Sequence, residues 1–146
     1  MTCYIGIDYG LKRIGLAVGD RETGIASPLK TIAAAGPPRT QAKAVADVAR
    51  DYAVDGFVLG LPLNMDGSEG EQAKLTRTFG SALMTLTNLP VHYHDERLSS
   101  RSAAALLAPA ELTPKQRGSR VDHVAAQIIL KSFLEGRPRR GETPSS

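Results

Sequence analysis

The chain has 146 residues, 42% hydrophobic and 23% charged, the composition of one globular domain that can bury a core without staples. Its single cysteine, Cys3, excludes an internal disulfide and a multi-cysteine metal cluster, and no apolar run approaches the roughly 18 residues of a membrane span. The 18 Lys+Arg against 15 Asp+Glu leave a net charge of +3, a mild bias toward acidic partners.

Much of that basic charge sits in the last third, at Arg117, Arg120, Lys131, Arg137, Arg139 and Arg140. Met1 is followed almost directly by Ile5-Gly6-Ile7-Asp8, with neither the basic stretch nor the apolar run of a secretory leader. A cytoplasmic location with no membrane contact is therefore expected.

Residues 3–7 form an apolar run that stops at Asp8, and residues 14–18 form a second. Between them, Gly10-Leu-Lys-Arg13 supplies a turn, so a β-hairpin is expected. Residues 26–32 fit a third strand, and Gly36-Pro37-Pro38 breaks the chain. Ala42, Val45, Ala46, Ala49 and Tyr52 recur at helical spacing. Residues 56–61 are apolar throughout and too short for a helix, which suits a buried parallel strand.

Residues 62–70 contain Asn64, Asp66-Gly67 and Gly70 and read as a loop. A helix should follow with Leu75, Phe79, Leu83 and Leu86 on its inner face. Residues 91–94 fit another strand, ending at Asp95-Glu96-Arg97. Ser99 or Ser100 can cap a helix through Leu107, and residues 108–118 read as an exposed loop. The last helix is expected to open at Ser119, carry Val121, Val124, Ala125, Ile128, Ile129 and Phe133 inward, and end at Gly136. Residues 1–136 are then one domain, and residues 137–146 a disordered basic and polar tail.

This order predicts an α/β fold: a mixed five-stranded sheet, antiparallel meander plus parallel crossovers, flanked by helices. Right-handed crossovers place the later strands beside the first, so their C-terminal ends share one edge. Asp8 falls at the end of the first strand and Asp95 and Glu96 at the end of the last. Asp122 falls near the start of the last helix. Converging carboxylates repel unless cations neutralise them, and oxygen ligands suit Mg²⁺ or Mn²⁺. A pair of such ions is suited to in-line phosphoryl displacement.

Each acid also has a structural reading. Asp8 can start a turn, Ser119 and Asp122 can form a capping box, and Asp95 and Glu96 can pair with Arg97 or Arg101. His92 and His94 share a strand face and, with Asp95, could bind a transition metal, but no third nitrogen or sulfur ligand is evident. His123 reads as a surface residue that could aid proton transfer, and Cys3 as a small buried hydrophobe.

Four segments occur in order: Gly6-Ile-Asp8-Tyr-Gly10-Leu-Lys-Arg-Ile-Gly15-Leu-Ala-Val-Gly-Asp20, Gly60-Leu-Pro-Leu-Asn64-Met-Asp66-Gly67-Ser68, Asp95-Glu-Arg-Leu-Ser99, and Val121-Asp122 with Ala125-Ala126. Together they resemble the YqgF family, also called RuvX, over residues 5–134. The resemblance implies a ribonuclease-H-like fold akin to RuvC-type Holliday-junction resolvases. It also implies a bacterial cytoplasmic hydrolase: a nuclease that processes the 5′ end of pre-16S ribosomal RNA in ribosome biogenesis. The family's acidic site falls on Asp8, Glu96 and Asp122, as catalytic groups and ligands of a two-metal Mg²⁺ or Mn²⁺ site. Adjacent strand residues point to opposite faces, and of Asp95 and Glu96 the longer Glu96 is the expected ligand. Leu11 and Ser100 depart from the family pattern, and Leu11 removes a possible hydroxyl contact at its turn.

Nucleic-acid contacts are expected from Lys12, Arg13, Asn64, Ser68, Arg97 and Arg101, with Ser68 alternatively capping the helix that follows. Aromatics are only 5% of the chain, which argues against a base-stacking platform. The expected partner is RNA, with a four-way DNA junction as the alternative, and the chain is expected to be a monomer or weak homodimer. Two rivals remain: a non-catalytic nucleic-acid-binding module, and an actin-like ATPase built on the Asp-x-Gly hairpin. The latter needs two closing domains, and this chain has room for one.

Overall fold

The computed structural model describes residues 3–98 and 114–136, with side chains of the last helix from His123 onward. The strands are β1 (Cys3–Tyr9), β2 (Arg13–Asp20), β3 (Ile25–Ala33), β4 (Gly56–Leu61) and β5 (Val91–Asp95). The helices are α1 (Pro38–Ala49), α2 (Glu71–Thr87) and α3 (Pro114–Gly136). Short 3₁₀ turns, Arg50–Tyr52 and Glu96–Leu98, follow α1 and β5.

The five strands form one sheet in the order β3-β2-β1-β4-β5. β1, β2 and β3 pair antiparallel, while β4 pairs parallel with both β1 and β5. All six residues of β4 are buried, as a central parallel strand with both faces covered requires. The expected strand order is observed. β1 runs past its expected end, however. Asp8 pairs with Gly15 and Tyr9 with Ile14, so Asp8 is a strand residue and the turn begins after it.

Alternation along the strands separates two cores. Ile5, Ile7, Leu16, Phe57 and Leu59 face α1 and α2, where Val45, Phe79 and Leu83 meet them. Tyr4, Ala17 and Val58 face α3, where Ala126, Ile129, Leu130 and Leu134 meet them. Gly6 permits this second contact, because a Cβ there would stand 2.6 Å from Leu130 Cβ.

Three expectations about helices are corrected. α1 begins at Pro38, because proline at the first helical position loses no intrahelical bond. The inner face of α2 is Ala73, Thr76, Phe79, Gly80 and Leu83, while Leu75 and Leu86 are exposed. Small residues win that face because Tyr93 and Leu59 approach Gly80 too closely for a side chain. α3 begins at Pro114 rather than Ser119, so residues 119 and 122 lie inside the helix and not at its N-terminal end, where a capping box belongs. Ile128 and Ile129 are buried as expected, together with Ala126, Leu130 and Leu134, while Val124, Ala125 and Phe133 are only half-buried. The expected helix from Ser99 and the tail at 137–146 lie outside the described residues. No helix among the described residues is long and apolar enough to cross a membrane.

Candidate active site

Asp8 follows Tyr4 and Gly6 on the α3 face of the sheet, at the C-terminal end of β1. Its neighbours across the sheet have no side chains. Gly15 is its partner on β2. Gly60 is the next β4 residue after Leu59, the partner of Ile7. The carboxyl is thus flanked by two bare backbone positions.

Glu96 fills part of that space. It leads the 3₁₀ turn after β5, and its side chain lies over Gly60, where a Cβ would stand 3.0 Å from Glu96 Cγ and 3.2 Å from Cδ. The same Cβ would meet Ile129 Cδ1 at 2.6 Å. Glu96 is therefore enclosed between the sheet and α3, on the face that carries Asp8. Burial pushes its carboxyl above the usual range, and the Asp95 charge adds to the shift.

Asp95 is turned elsewhere. Its carboxylate accepts from Arg97 Nε at 3.1 and 3.0 Å, from Arg97 Nη2 at 2.7 Å, and from the Arg97 backbone N–H at 2.9 Å. These bonds hold its carboxyl below the usual range. Arg97 also donates from Nη1 to the Met65 carbonyl at 3.1 Å, so one guanidinium ties the end of β5 to the 62–70 loop.

That loop is internally bonded. Asn64 N–H donates to the Ser68 carbonyl at 2.9 Å and Gly67 N–H to the Asn64 carbonyl at 2.8 Å. Asn64 Nδ2 donates to Ser68 Oγ, which in turn donates to Asp66 Oδ1 at 2.6 Å. Gly67 occupies the left-handed region at φ 88°, which the tight turn requires. Asn64 and Ser68 thus build the turn. Ser68 does not cap α2, whose N-cap is Gly70 without a side-chain bond. Glu69 receives Arg77 Nε at 2.8 and 2.9 Å, and Arg77 lies over the Tyr93 ring.

Lys12 and Arg13 are exposed at the β1–β2 turn, which Gly10 N–H closes on the Arg13 carbonyl at 3.0 Å. Arg101 and the Asp122 side chain lie outside the described residues. The backbone of residue 122 stands one turn before Ala126, whose carbonyl oxygen is 2.9 Å from a Cβ built on Gly6. The next residue, His123, hydrogen-bonds Thr31 Oγ1 through Nδ1 at 2.9 Å. Thr31 pairs with Gly15, and Gly15 with Asp8. This bond therefore ties the middle of α3 to the sheet row that contains Asp8. Spacing alone gave Thr31, Gly15 and Gly60 no role; glycines in register beside a strand-end acid are the signal.

His92 and His94 do share the α3 face, as expected. His92 packs against Tyr4 and Phe133, and His94 Nε2 bonds Ser132 Oγ at 2.9 Å. Burial pushes the His94 pKa down. With Asp95 turned toward Arg97, the three do not converge. Among the described residues, no three His, Cys, Asp or Glu side chains form a metal-holding group. Asp8 and Glu96 nevertheless suit a hard divalent cation in donor type, shared face and the room left by Gly15 and Gly60.

The family model described as "RuvX: Holliday junction resolvase" matches residues 2–136. A Neisseria gonorrhoeae protein named "Putative pre-16S rRNA nuclease" is 44% identical over 134 residues, 92% of this chain and 88% of that protein. A Rhodobacter capsulatus protein of the same name is 47% identical over 130 residues, 89% of this chain and 81% of that protein. Among solved structures, T. thermophilus RuvC in complex with a Holliday junction substrate matches with a TM-score of 0.57 at 13% identity. It covers 92% of this chain and 96% of that one. At that identity the match speaks for the fold, and it agrees with the ribonuclease-H-like sheet expected above.

Proposed function

This chain belongs to the RuvX family, and from that premise we propose that it is a divalent-cation-dependent nuclease. Its substrate is RNA, at the 5′ end of pre-16S ribosomal RNA, and it acts in ribosome biogenesis in the cytoplasm. The name shared by the curated relatives supports the substrate. The observation that carries the chemistry is the placement of Asp8 and Glu96 on one sheet face beside Gly15 and Gly60.

Asp8, Glu96 and Asp122 would hold Mg²⁺ or Mn²⁺. Bound there, the cations would supply an activated water and a Lewis acid for the leaving 3′ oxygen. The chain's own residues do the rest. Gly15 puts no side chain beside Asp8 on the β2 side, and on the β4 side Gly60 gives its place to Glu96 and Ile129, so the substrate phosphodiester would approach Asp8 from over β2. Ile129, packed over Gly60, keeps bulk water from one side of Glu96. Lys12, Arg13 and Arg101 would hold flanking phosphates, which fixes register without reading sequence. Arg97 is already bonded to Asp95 and Met65, and its role is to hold the 62–70 loop beside the site. Asn64 and Ser68 shape that loop for the substrate.

The test compares matched RNA and DNA versions of one substrate with Mn²⁺, Mg²⁺ and chelator, using Asp8→Asn as the contamination control. Cation-dependent RNA cleavage that Asp8→Asn loses is the expected result. The family description favours a second reading, a resolvase acting on four-way DNA. Cleavage of the DNA junction with the RNA untouched would replace the first reading by the second.

A further inference from the structure

Two large apolar side chains stand out by their exposure. Met65 is 90% exposed and Leu11 73%, the highest values for large hydrophobic residues among the described residues. Both occupy loops that leave the same edge of the sheet. Leu11 is in the turn after β1, three residues beyond Asp8, and Met65 is in the loop after β4, the strand beside β1. Neither packs into a core. Both lie at the end where Asp8 and Glu96 sit.

Met65 is also held by a stiff frame. Its carbonyl accepts from Arg97 Nη1, and the flanking turn is closed by the Asn64, Asp66 and Ser68 bonds. Arg97 directly follows Glu96 and is itself fixed by Asp95. The backbone under Met65 is therefore referenced to the carboxylate site through two bonded side chains. A stiff turn holding an apolar tip in water has no stabilising purpose within this chain.

We infer that Met65, with Leu11 in the turn after the neighbouring strand, is an apolar wedge that enters a base step of the bound RNA next to the cut. Aliphatic and thioether side chains open base steps in this way, and an unbranched methionine adapts to the gap. The positive charge that fits a nucleic acid lies on the Leu11 side, where Lys12 and Arg13 adjoin it on the same turn, while on the Met65 side Asp66 accepts from Ser68 within the turn and Glu69 pairs with Arg77. Unstacking is costly inside a helix and cheap at its end. The wedge therefore selects a substrate in which a paired stem meets an unpaired strand, and sets the cut at that junction. The inference rests on the nuclease reading above and adds to it the feature of the RNA that is recognised.

The test uses the full chain and an RNA hairpin with a single-stranded 5′ extension, in Ca²⁺ so that binding is read without turnover. 2-Aminopurine in the last base pair reports unstacking, and a fluorescein label reports binding by anisotropy. The parent should raise the 2-aminopurine fluorescence. Leu11→Ser/Met65→Ser should keep the anisotropy change and lose the fluorescence rise, and Met65→Leu should retain it. A parent that binds without unstacking, or a double variant that unstacks as the parent does, overturns the wedge and leaves the nuclease reading in place. A parent that gives no anisotropy change overturns both.

Discussion

Glu96 lies across Gly60, its Cγ 3.0 Å and its Cδ 3.2 Å from where a Cβ on that glycine would be. The absence of one side chain on β4 thus creates the place for a carboxyl that β5 delivers. Gly60→Ala should force Glu96 or Ile129 aside and cost about 1–3 kcal/mol by overpacking. Urea unfolding would measure this, and Mn²⁺ titration should show weakened binding. Unchanged values in both would mean the neighbours give way freely and the glycine does not shape the site.

The bond between His123 and Thr31 fastens the residue after Asp122 to the row of Asp8. Thr31→Val keeps the shape and removes the acceptor and donor. It should cost about 1 kcal/mol of stability and weaken Mn²⁺ binding, whereas Thr31→Ser should restore both. If Thr31→Val loses stability but binds Mn²⁺ as the parent does, the bond is purely structural.

Asp95 and Glu96 should separate cleanly when each loses its charge. Asp95→Asn weakens the ion pair with Arg97 and should leave cation binding in place while the 62–70 loop becomes more open to proteolysis. Glu96→Gln should do the reverse. Limited proteolysis with a parallel Mn²⁺ titration distinguishes them, and an Asp95→Asn protein that fails to bind cation would exchange their roles.

That division was only half legible in the sequence. Alternation says that one of two adjacent residues faces each way, but not which. The partner that decides it, Arg97, is adjacent to both. Strand order and the Asp8 edge were readable because apolar runs and glycine turns are local signals. The face of α2 was misread because leucines outweigh Ala73 and Gly80 on any hydrophobic scale, while close approach to Tyr93 and Leu59 selects the small residues. The early start of α3 was hidden by Pro114 and Gly118, which look like breakers although proline opens a helix well. Asn64 and Ser68 build the turn of the 62–70 loop, and because turn-formers and anion-binders are the same residue types, the sequence does not separate the two roles.

Cys3 offers a pH-dependent readout away from the site. Burial pushes its thiol pKa up, and the Asp20 and Asp55 charges add to the shift. Asp55 also accepts the Cys3 backbone N–H at 3.0 Å. A raised pKa keeps the neutral, unreactive thiol to higher pH, so iodoacetamide should react slowly near neutrality and faster with a midpoint above the usual value of about 8.5. Asp20→Asn should move that midpoint down. A midpoint at or below the free-thiol value would contradict the burial of this strand end.

Cation binding should also register as stability, because a ligand that binds only the folded chain raises its unfolding free energy by mass action. Asp8 and Glu96 bring negative charge to one sheet face, and burial already disfavours the charged form of Glu96. A divalent cation offsets that cost, so Mn²⁺ should raise Tm and chelator should return it to the cation-free value. Asp8→Asn and Glu96→Gln should each flatten this response. In chelator, Glu96→Gln should be at least as stable as the parent, since it removes a buried charge beside Asp95 while keeping nearly the same shape. Differential scanning calorimetry across a Mn²⁺ series reads both effects. A Tm that ignores Mn²⁺ in the parent, or rises equally in the two variants, would place cation binding away from these carboxylates.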